Sequence, residues 1–125
     1  MKAQKIGIWM DHHQAYLTEF TADAMKSEII LSSSDTGGDR NFNKGERLEH
    51  NREQNELEKY YKKLSSQIIQ YESVVLFGPT DAKTELLHLL RKNHLFDKIK
   101  ITVENADKMT ENQLHSFVRS HFSHQ

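Results

Sequence analysis

Cysteine is absent from the 125 residues. That excludes a disulfide framework, a thiolate metal site and cysteine nucleophilic catalysis. Proline occurs once and glycine five times, so breaks in regular structure are few and stand out. No apolar run approaches the roughly 20 residues of a membrane span. The apolar stretch that ends at Met10 is too short for a signal peptide. A soluble cytoplasmic protein with no membrane partner is the expectation. Neither sign of charge is in excess: 17 Lys and Arg against 18 Asp and Glu leave a formal net charge of -1. No global electrostatic drive toward nucleic acid follows, so any such contact must come from a local patch.

What is present is one domain's worth of chain. Hydrophobic residues make up 36% and charged residues 28%. The apolar residues fall in periodic runs, which argues against general disorder. Ile6, Ile8 and Met10 alternate with Lys5, Gly7 and Trp9, predicting a strand over 4–10. Asp11-His12-His13-Gln14 is a polar break of hairpin length. A second strand is predicted over 15–20 and a third over 27–32, separated by a turn at 21–24. Short connections make the three an antiparallel meander.

Residues 33–45 are rich in Ser, Asp, Asn and Gly and carry no hydrophobic period. The reading is one long flexible loop, a kind of segment that is functional or disordered. A long helix is predicted over 46–71, with Leu57, Tyr60, Tyr61, Leu64, Ile68 and Tyr71 on one face. Its polar first half is expected to project from the body or lie on its surface. Ser73 to Phe77 reads as a central strand covered on both faces, ending at Gly78-Pro79. A helix capped at Thr80 or Asp81 follows. Ile99, Ile101 and Val103 alternate as a fifth strand. Thr110 and Gln113 form a capping box ahead of a last helix with Leu114, Phe117, Val118 and Phe122 on one face. The tail 123–125 is expected to fray.

Right-handed crossovers place the later strands parallel to the first. The predicted fold is α/β and ribonuclease-H-like, of the ribosomal-protein type. It is a three-layer arrangement, with a mixed five-stranded sheet of order 3-2-1-4-5 and helices on both faces. The whole of 1–125 is read as a single domain, monomeric or weakly self-associating through a sheet edge.

Several segments carry possible chemistry. Gly37 and Gly38 permit close backbone approach to a ligand, and Arg40, Lys44 and Arg47 can contact phosphates. Asp35, Asp39 and Glu46 cancel that charge locally. Gly78-Pro79-Thr80-Asp81-Ala82-Lys83 joins a strand to a helix N-terminus, which exposes N–H groups to an anion. It lacks a P-loop pattern, and the plainer reading is a turn with Lys83 solvated. His12 and His13 share the hairpin turn, and His121 and His124 are spaced to share a helix face. Neither pair has a full ligand set, so no metal and no cofactor is expected. Asp11 ends the first strand, where a two-metal nuclease of this fold places an aspartate, with Asp81, Glu85 and Glu104 available. A turn role explains Asp11 more simply. Tyr60-Tyr61 among Lys59, Lys62 and Lys63 suits nucleic acid but reads more plainly as a buried stripe beside a solvated basic face.

Gly37-Gly38-Asp39, Arg47-Leu48-Glu49, the long polar helix and the block from Val74 through Gly78-Pro79 to Lys83-Thr84-Glu85-Leu86 resemble the middle domain of eukaryotic and archaeal class I peptide release factors. The chain is similar in the same way to their short bacterial relatives, the "translational machinery" proteins, whose first hairpin Ile8 to Ala15 resembles. The resemblance spans most of the chain and implies a ribonuclease-H-like fold. It also implies a Gly-Gly-Gln loop that promotes water attack on the ester of peptidyl-tRNA. Gly37 and Gly38 match that loop, and Asp39 stands where glutamine is expected. An ionised carboxylate only accepts hydrogen bonds, and its charge opposes a developing oxyanion. At 125 residues the chain is expected to lack the family's codon-reading and partner-recruiting domains.

The expected function is therefore a translation-associated factor that binds ribosome or tRNA in rescue, quality control or dormancy, without catalysis. Arg40, Lys44, Arg47 and Lys83 are the candidate RNA contacts. Alternatives are a peptidyl-tRNA ester hydrolase using Gly37, Gly38 and Asp39, a metal-dependent nuclease, and a protein–protein adaptor.

Overall fold

A computed structural model describes residues 5–20, 26–31 and 46–123, with side chains for 5–20, 28–31 and 55–123. The predicted loop 33–45, the turn at 21–24 and the frayed tail fall at least in part outside these residues.

Strands β1 (Lys5–Met10), β2 (Gln14–Phe20) and β3 (Lys26–Leu31) precede helix α1 (Glu46–Ile68). Strand β4 (Ser73–Gly78), helix α2 (Ala82–Arg91), strand β5 (Lys100–Asn105) and helix α3 (Glu111–Ser123) complete the order. The sheet runs β3-β2-β1-β4-β5. β1 pairs antiparallel with β2, β2 antiparallel with β3, and β4 lies parallel to both β1 and β5. This is the predicted ribonuclease-H-like, ribosomal-type three-layer fold.

Two cores flank the sheet. Ile6, Ile8, Met10, Val74 and Leu76 face α1 and α2, whose Tyr60, Leu64, Ile68, Leu86 and Leu90 close over them. Trp9, Val75 and Phe77 point the other way, against Leu114, Val118 and Phe122 of α3. β1 and β4 are thus buried on both faces. Apolar residues at both parities of a strand are what a doubly covered sheet requires. Gly7 is where α3 comes closest: a Cβ there would stand 2.3 Å from Val118 Cγ2. The Trp9 indole N–H donates to the Asp107 carbonyl at 3.1 Å and anchors the connection into α3.

Local signals are borne out where their partners are local. The Thr110 N–H donates to Gln113 Oε1 at 2.9 Å, and the Gln113 N–H to Thr110 Oγ1 at 3.2 Å, a complete capping box. Some boundaries differ. α1 stops at Ile68 because Ile69, Gln70 and Tyr71 close a turn, with the Tyr71 N–H bonded to the Ile68 carbonyl. β5 starts at Lys100, opposite Ser73, and not before Ile99. Ile99 instead donates its N–H to Phe96 of a 3-10 turn over His94–Phe96 that periodicity does not disclose.

Candidate functional site

The carboxyl edge of the sheet, where β1 and β4 end side by side, gathers the polar side chains. β1 connects onward to its neighbour on one side and β4 to its neighbour on the other. The pair therefore forms the switch point at which open α/β sheets hold ligands.

Asp11 leaves β1 and builds the hairpin turn. Its Oδ1 accepts from the N–H of His13 at 2.7 Å and of Gln14 at 2.9 Å. An Asx turn of this kind explains why an aspartate opens the hairpin. Its carbonyl accepts from the Tyr60 hydroxyl at 2.8 Å. The neighbouring Tyr61 stacks on Tyr60 with centroids 5.6 Å apart, and its hydroxyl donates to Glu85 Oε1 at 2.6 Å. His12 Nε2 lies 3.2 Å from that same oxygen. One carboxylate on α2 thereby joins α1 to the first hairpin. Burial, then the Asp11 carboxylate, pushes the Tyr60 hydroxyl far above its ordinary range. Burial and then Glu85 do the same to Tyr61. Both remain donors throughout the neutral range.

The β4–α2 turn forms the other wall. Gly78 has φ +152°, and a Cβ there would lie 2.1 Å from the Met10 carbonyl oxygen. Only glycine lets β4 turn away this close to the end of β1. Thr80 Oγ1 accepts from the Ala82 N–H at 3.2 Å. Lys83 corrects the expectation of a solvated side chain: it is 3% exposed, and its Nζ donates to the Thr80 carbonyl. The aliphatic stem is covered by the body of the domain while the ammonium closes the turn.

Helix α1 gives this edge its reach. Tyr60 marks the carboxyl end of β1, and Tyr71, beyond the helix, bonds Glu19, which pairs with Ile6 near the amino end. The helix therefore runs antiparallel to β1. Leu57 packs on the core, and eleven residues of α1 precede it, back to Glu46. At 1.5 Å per residue that is roughly 16 Å of helix before Leu57.

Gly37, Gly38, Asp39, Arg40 and Lys44 lie outside the described residues. Arg47 belongs to the first turn of α1, and its side chain also lies outside them. The two described anchors of the loop are Leu31, opposite Gln14 beside the hairpin turn, and Glu46. Among the described residues no three His, Asp or Glu side chains come together as metal ligands. Lys59, Lys62 and Lys63 are exposed while Tyr60 and Tyr61 are buried, the plainer of the two readings of that stretch. The sequence does not disclose the His12–Glu85–Tyr61 cluster. Its members come from three elements and its His–Glu pair is 73 residues apart, a relation no spacing rule encodes. The first hairpin and the block from Gly78-Pro79 to Glu85-Leu86 meet in this cluster.

The structure of Archaeoglobus fulgidus Pelota superposes with a TM-score of 0.60 at 7% identity, over 93% of this chain and 30% of that one. The superposition shows a shared fold. An archaeal translation termination factor gives 0.56 at 13% identity, covering 88% of this chain and 32% of its own. The Thermoplasma acidophilum Pelota protein gives 0.59 at 12%, covering 91% and 31%. The chain thus spans about a third of each of these proteins. No family model matches it, and no curated protein does so significantly. Among the described residues, no helix is long and apolar enough to cross a membrane.

Proposed function

We propose that this domain is a translation-associated factor that binds the ribosome or tRNA, in rescue, quality control or dormancy, without catalysing peptide release. The observation that carries the reading is the mounting of α1. The helix is bolted to the carboxyl edge through Tyr60 and Tyr61, and its first eleven residues precede the core contact at Leu57. The segment 32–45 joins that helix to β3 at the same edge. Glycines at 37 and 38 and cations at 40, 44 and 47 then serve an RNA-lined site. The fold shared with Pelota and a translation termination factor supports the same class of partner.

Asp39 supports a non-catalytic role. A carboxylate there offers no donor to a developing oxyanion and adds charge of the wrong sign. Lys83, the fourth candidate contact, is buried with its ammonium on the Thr80 carbonyl, which supports a part in shaping the turn.

Sedimentation of the tagged protein through sucrose gradients at low and moderate salt tests the reading. Wild type is expected to travel with ribosomes at low salt and to be released as salt rises. The Arg40→Ala, Lys44→Ala, Arg47→Ala triple variant is expected to stay near the top. Wild type at the top under every salt and growth condition would end the proposal, and a triple variant that still co-sediments would remove the loop from it.

A further inference from the structure

The far edge of the sheet, beyond β4, carries a feature that the loop reading does not use. Among the described residues β5 pairs with β4 and with no strand on its other side. The Lys100 N–H donates to the Glu72 carbonyl and the Ala106 N–H to the Gly78 carbonyl, each at 3.0 Å. Main-chain groups alternate in direction along a strand, so Thr102 and Glu104 also turn theirs toward β4. Ile101 and Val103 therefore turn their N–H and C=O groups outward, to the open edge. A row of this kind is a template for another strand.

The side chains select which strand. Thr102 and Glu104 stand opposite Val75 and Phe77 of β4, on the α3 side of the sheet, and Lys100 shares their parity. Helix α3 packs over β1 and β2 on that side, and Lys100 and Glu104 are exposed. Ile101 and Val103 stand opposite Val74 and Leu76 on the other side, half-buried at the margin of the core under α1 and α2. Edge strands are commonly guarded by charge, lysine above all. Here the two charges are opposite in sign and equally far from Thr102 along the strand.

That spacing makes β5 complementary to itself. Two copies laid antiparallel about Thr102 set Lys100 of each opposite Glu104 of the other, on one face. The same register sets Ile101 opposite Val103 of the second copy. Both of these turn their main-chain groups outward, so they form the hydrogen-bonded pairs of an antiparallel ladder, with Thr102 between them at a non-bonded position. Outward main chain and opposed charge are independent requirements, and one register meets both. A slip of one residue sets an outward residue against an inward one. A slip of two sets Lys100 or Glu104 against Thr102.

We infer that two copies of this chain associate through β5, antiparallel about Thr102, and join their sheets into one. The interface is isologous, the same surface on both copies. It lies at the opposite edge of the sheet from β3, where segment 32–45 begins, and does not rest on the translation reading. Main-chain bonds and exposed charge pairs with little apolar area make a reversible association that salt weakens.

Sedimentation equilibrium of the full chain, from micromolar to near-millimolar concentration at low salt, tests it. A reversible monomer–dimer equilibrium is expected. Lys100→Glu and Glu104→Lys each turn attractive cross-strand pairs into repulsive ones, and each should weaken the dimer at least about tenfold. Mixing the two single variants should restore association, and so should Lys100→Glu/Glu104→Lys in one chain, because opposite charges then meet again. Both side chains are exposed, so the variants should fold, and thermal melts check that they do. Hydrogen exchange should show the Ile101 and Val103 amides gaining protection as concentration rises, while Thr102, already turned to β4, changes little. A monomer at every concentration overturns the inference and leaves the two charges as guards of the edge. A dimer indifferent to the charge reversals, or one that protects β3 amides in place of Ile101 and Val103, overturns it equally.

Discussion

The hydroxyl of Tyr60 donates to the carbonyl of Asp11 at 2.8 Å, across 49 residues of sequence. That bond fixes the middle of α1 to the residue that opens the hairpin turn. Tyr60 is fully buried, so its hydroxyl has no solvent partner to fall back on. Tyr60→Phe should cost about 0.5–1.5 kcal/mol, the net worth of one hydrogen bond, because the carbonyl of half-buried Asp11 can turn to water. Urea unfolding would measure it. Hydrogen exchange should show the loss of protection at His13 and Gln14 in particular, because their N–H groups are held by Asp11 Oδ1. A uniform loss across the sheet would mean that the bond supports packing alone.

Glu85 sits at a second junction. Its Oε1 accepts from Tyr61 and from His12, and its side chain and that of His12 are both partly exposed. The His12 contact should therefore contribute little to stability, within about 1 kcal/mol for His12→Ala. Glu85→Leu should cost more, since it also strands the Tyr61 hydroxyl in a buried position. A double-mutant cycle between Tyr61→Phe and Glu85→Gln would isolate the coupling. A coupling energy of zero would show the bond to be incidental.

The same substitution at two glycines should differ in severity. At Gly7 the obstruction to a Cβ is the Val118 side chain. Gly7→Ala should cost about 1–3 kcal/mol by overpacking, and Val118→Ala should relieve it. At Gly78 the obstruction is the Met10 backbone, and φ is +152°. Gly78→Ala should cost at least about 3 kcal/mol, because backbone strain adds to a clash that no side chain can relax. Thermal melts of the two variants and of Gly7→Ala/Val118→Ala would check the order.

Those glycines also mark what can be read from sequence and what cannot. Strand order follows from short connections and right-handed crossovers, which are local and chiral rules. The capping box at Thr110 is legible because both of its bonds lie within three residues. Lys83 is misread because charge is taken as exposure, while its stem is covered and its ammonium finds a carbonyl three residues back. Ile99 is misread because it keeps the strand's alternation while its N–H is spent on a preceding turn. The Glu85 junction is not legible at all. It depends on the crossover that brings α2 beside the first hairpin, and only the assembled sheet supplies that.

Stability should fall at both ends of the pH scale, for different groups. Burial lowers the pKa of His121 from 6.5, an effect that Glu104 opposes and Lys100 reinforces. The unfolded chain then binds the proton more readily, so stability rises with pH across this interval and is lost as pH drops below about 6.5. His121→Leu should flatten that acid slope. At the alkaline end, Tyr60, Tyr61 and Tyr71 all hold their protons above the ordinary 10.0, chiefly through burial. Their contribution is full below pH 10 and lost above it, as the unfolded chain ionises first. Urea midpoints between pH 5 and pH 11, with absorbance at the tyrosinate band, would resolve both limbs. An acid slope unchanged in His121→Leu would place the titration elsewhere.

The chemistry of position 39 gives the sharpest functional prediction. If the domain binds without catalysing release, purified ribosomes carrying labelled peptidyl-tRNA should lose peptide no faster with wild type than with Asp39→Ala. Asp39→Gln removes the opposing charge and restores a group that both donates and accepts. A single donor at a developing oxyanion is worth about 100- to 1,000-fold in rate. Release by Asp39→Gln above the Asp39→Ala rate would therefore show that the rest of the scaffold is competent and that the side chain alone withholds activity. Equal, background rates for all three would mean that the loop is not delivered to the ester whatever its third residue, and that the domain acts by occupancy. Release by wild type that vanishes in Asp39→Ala would reverse the non-catalytic reading and make the carboxylate the group that positions water.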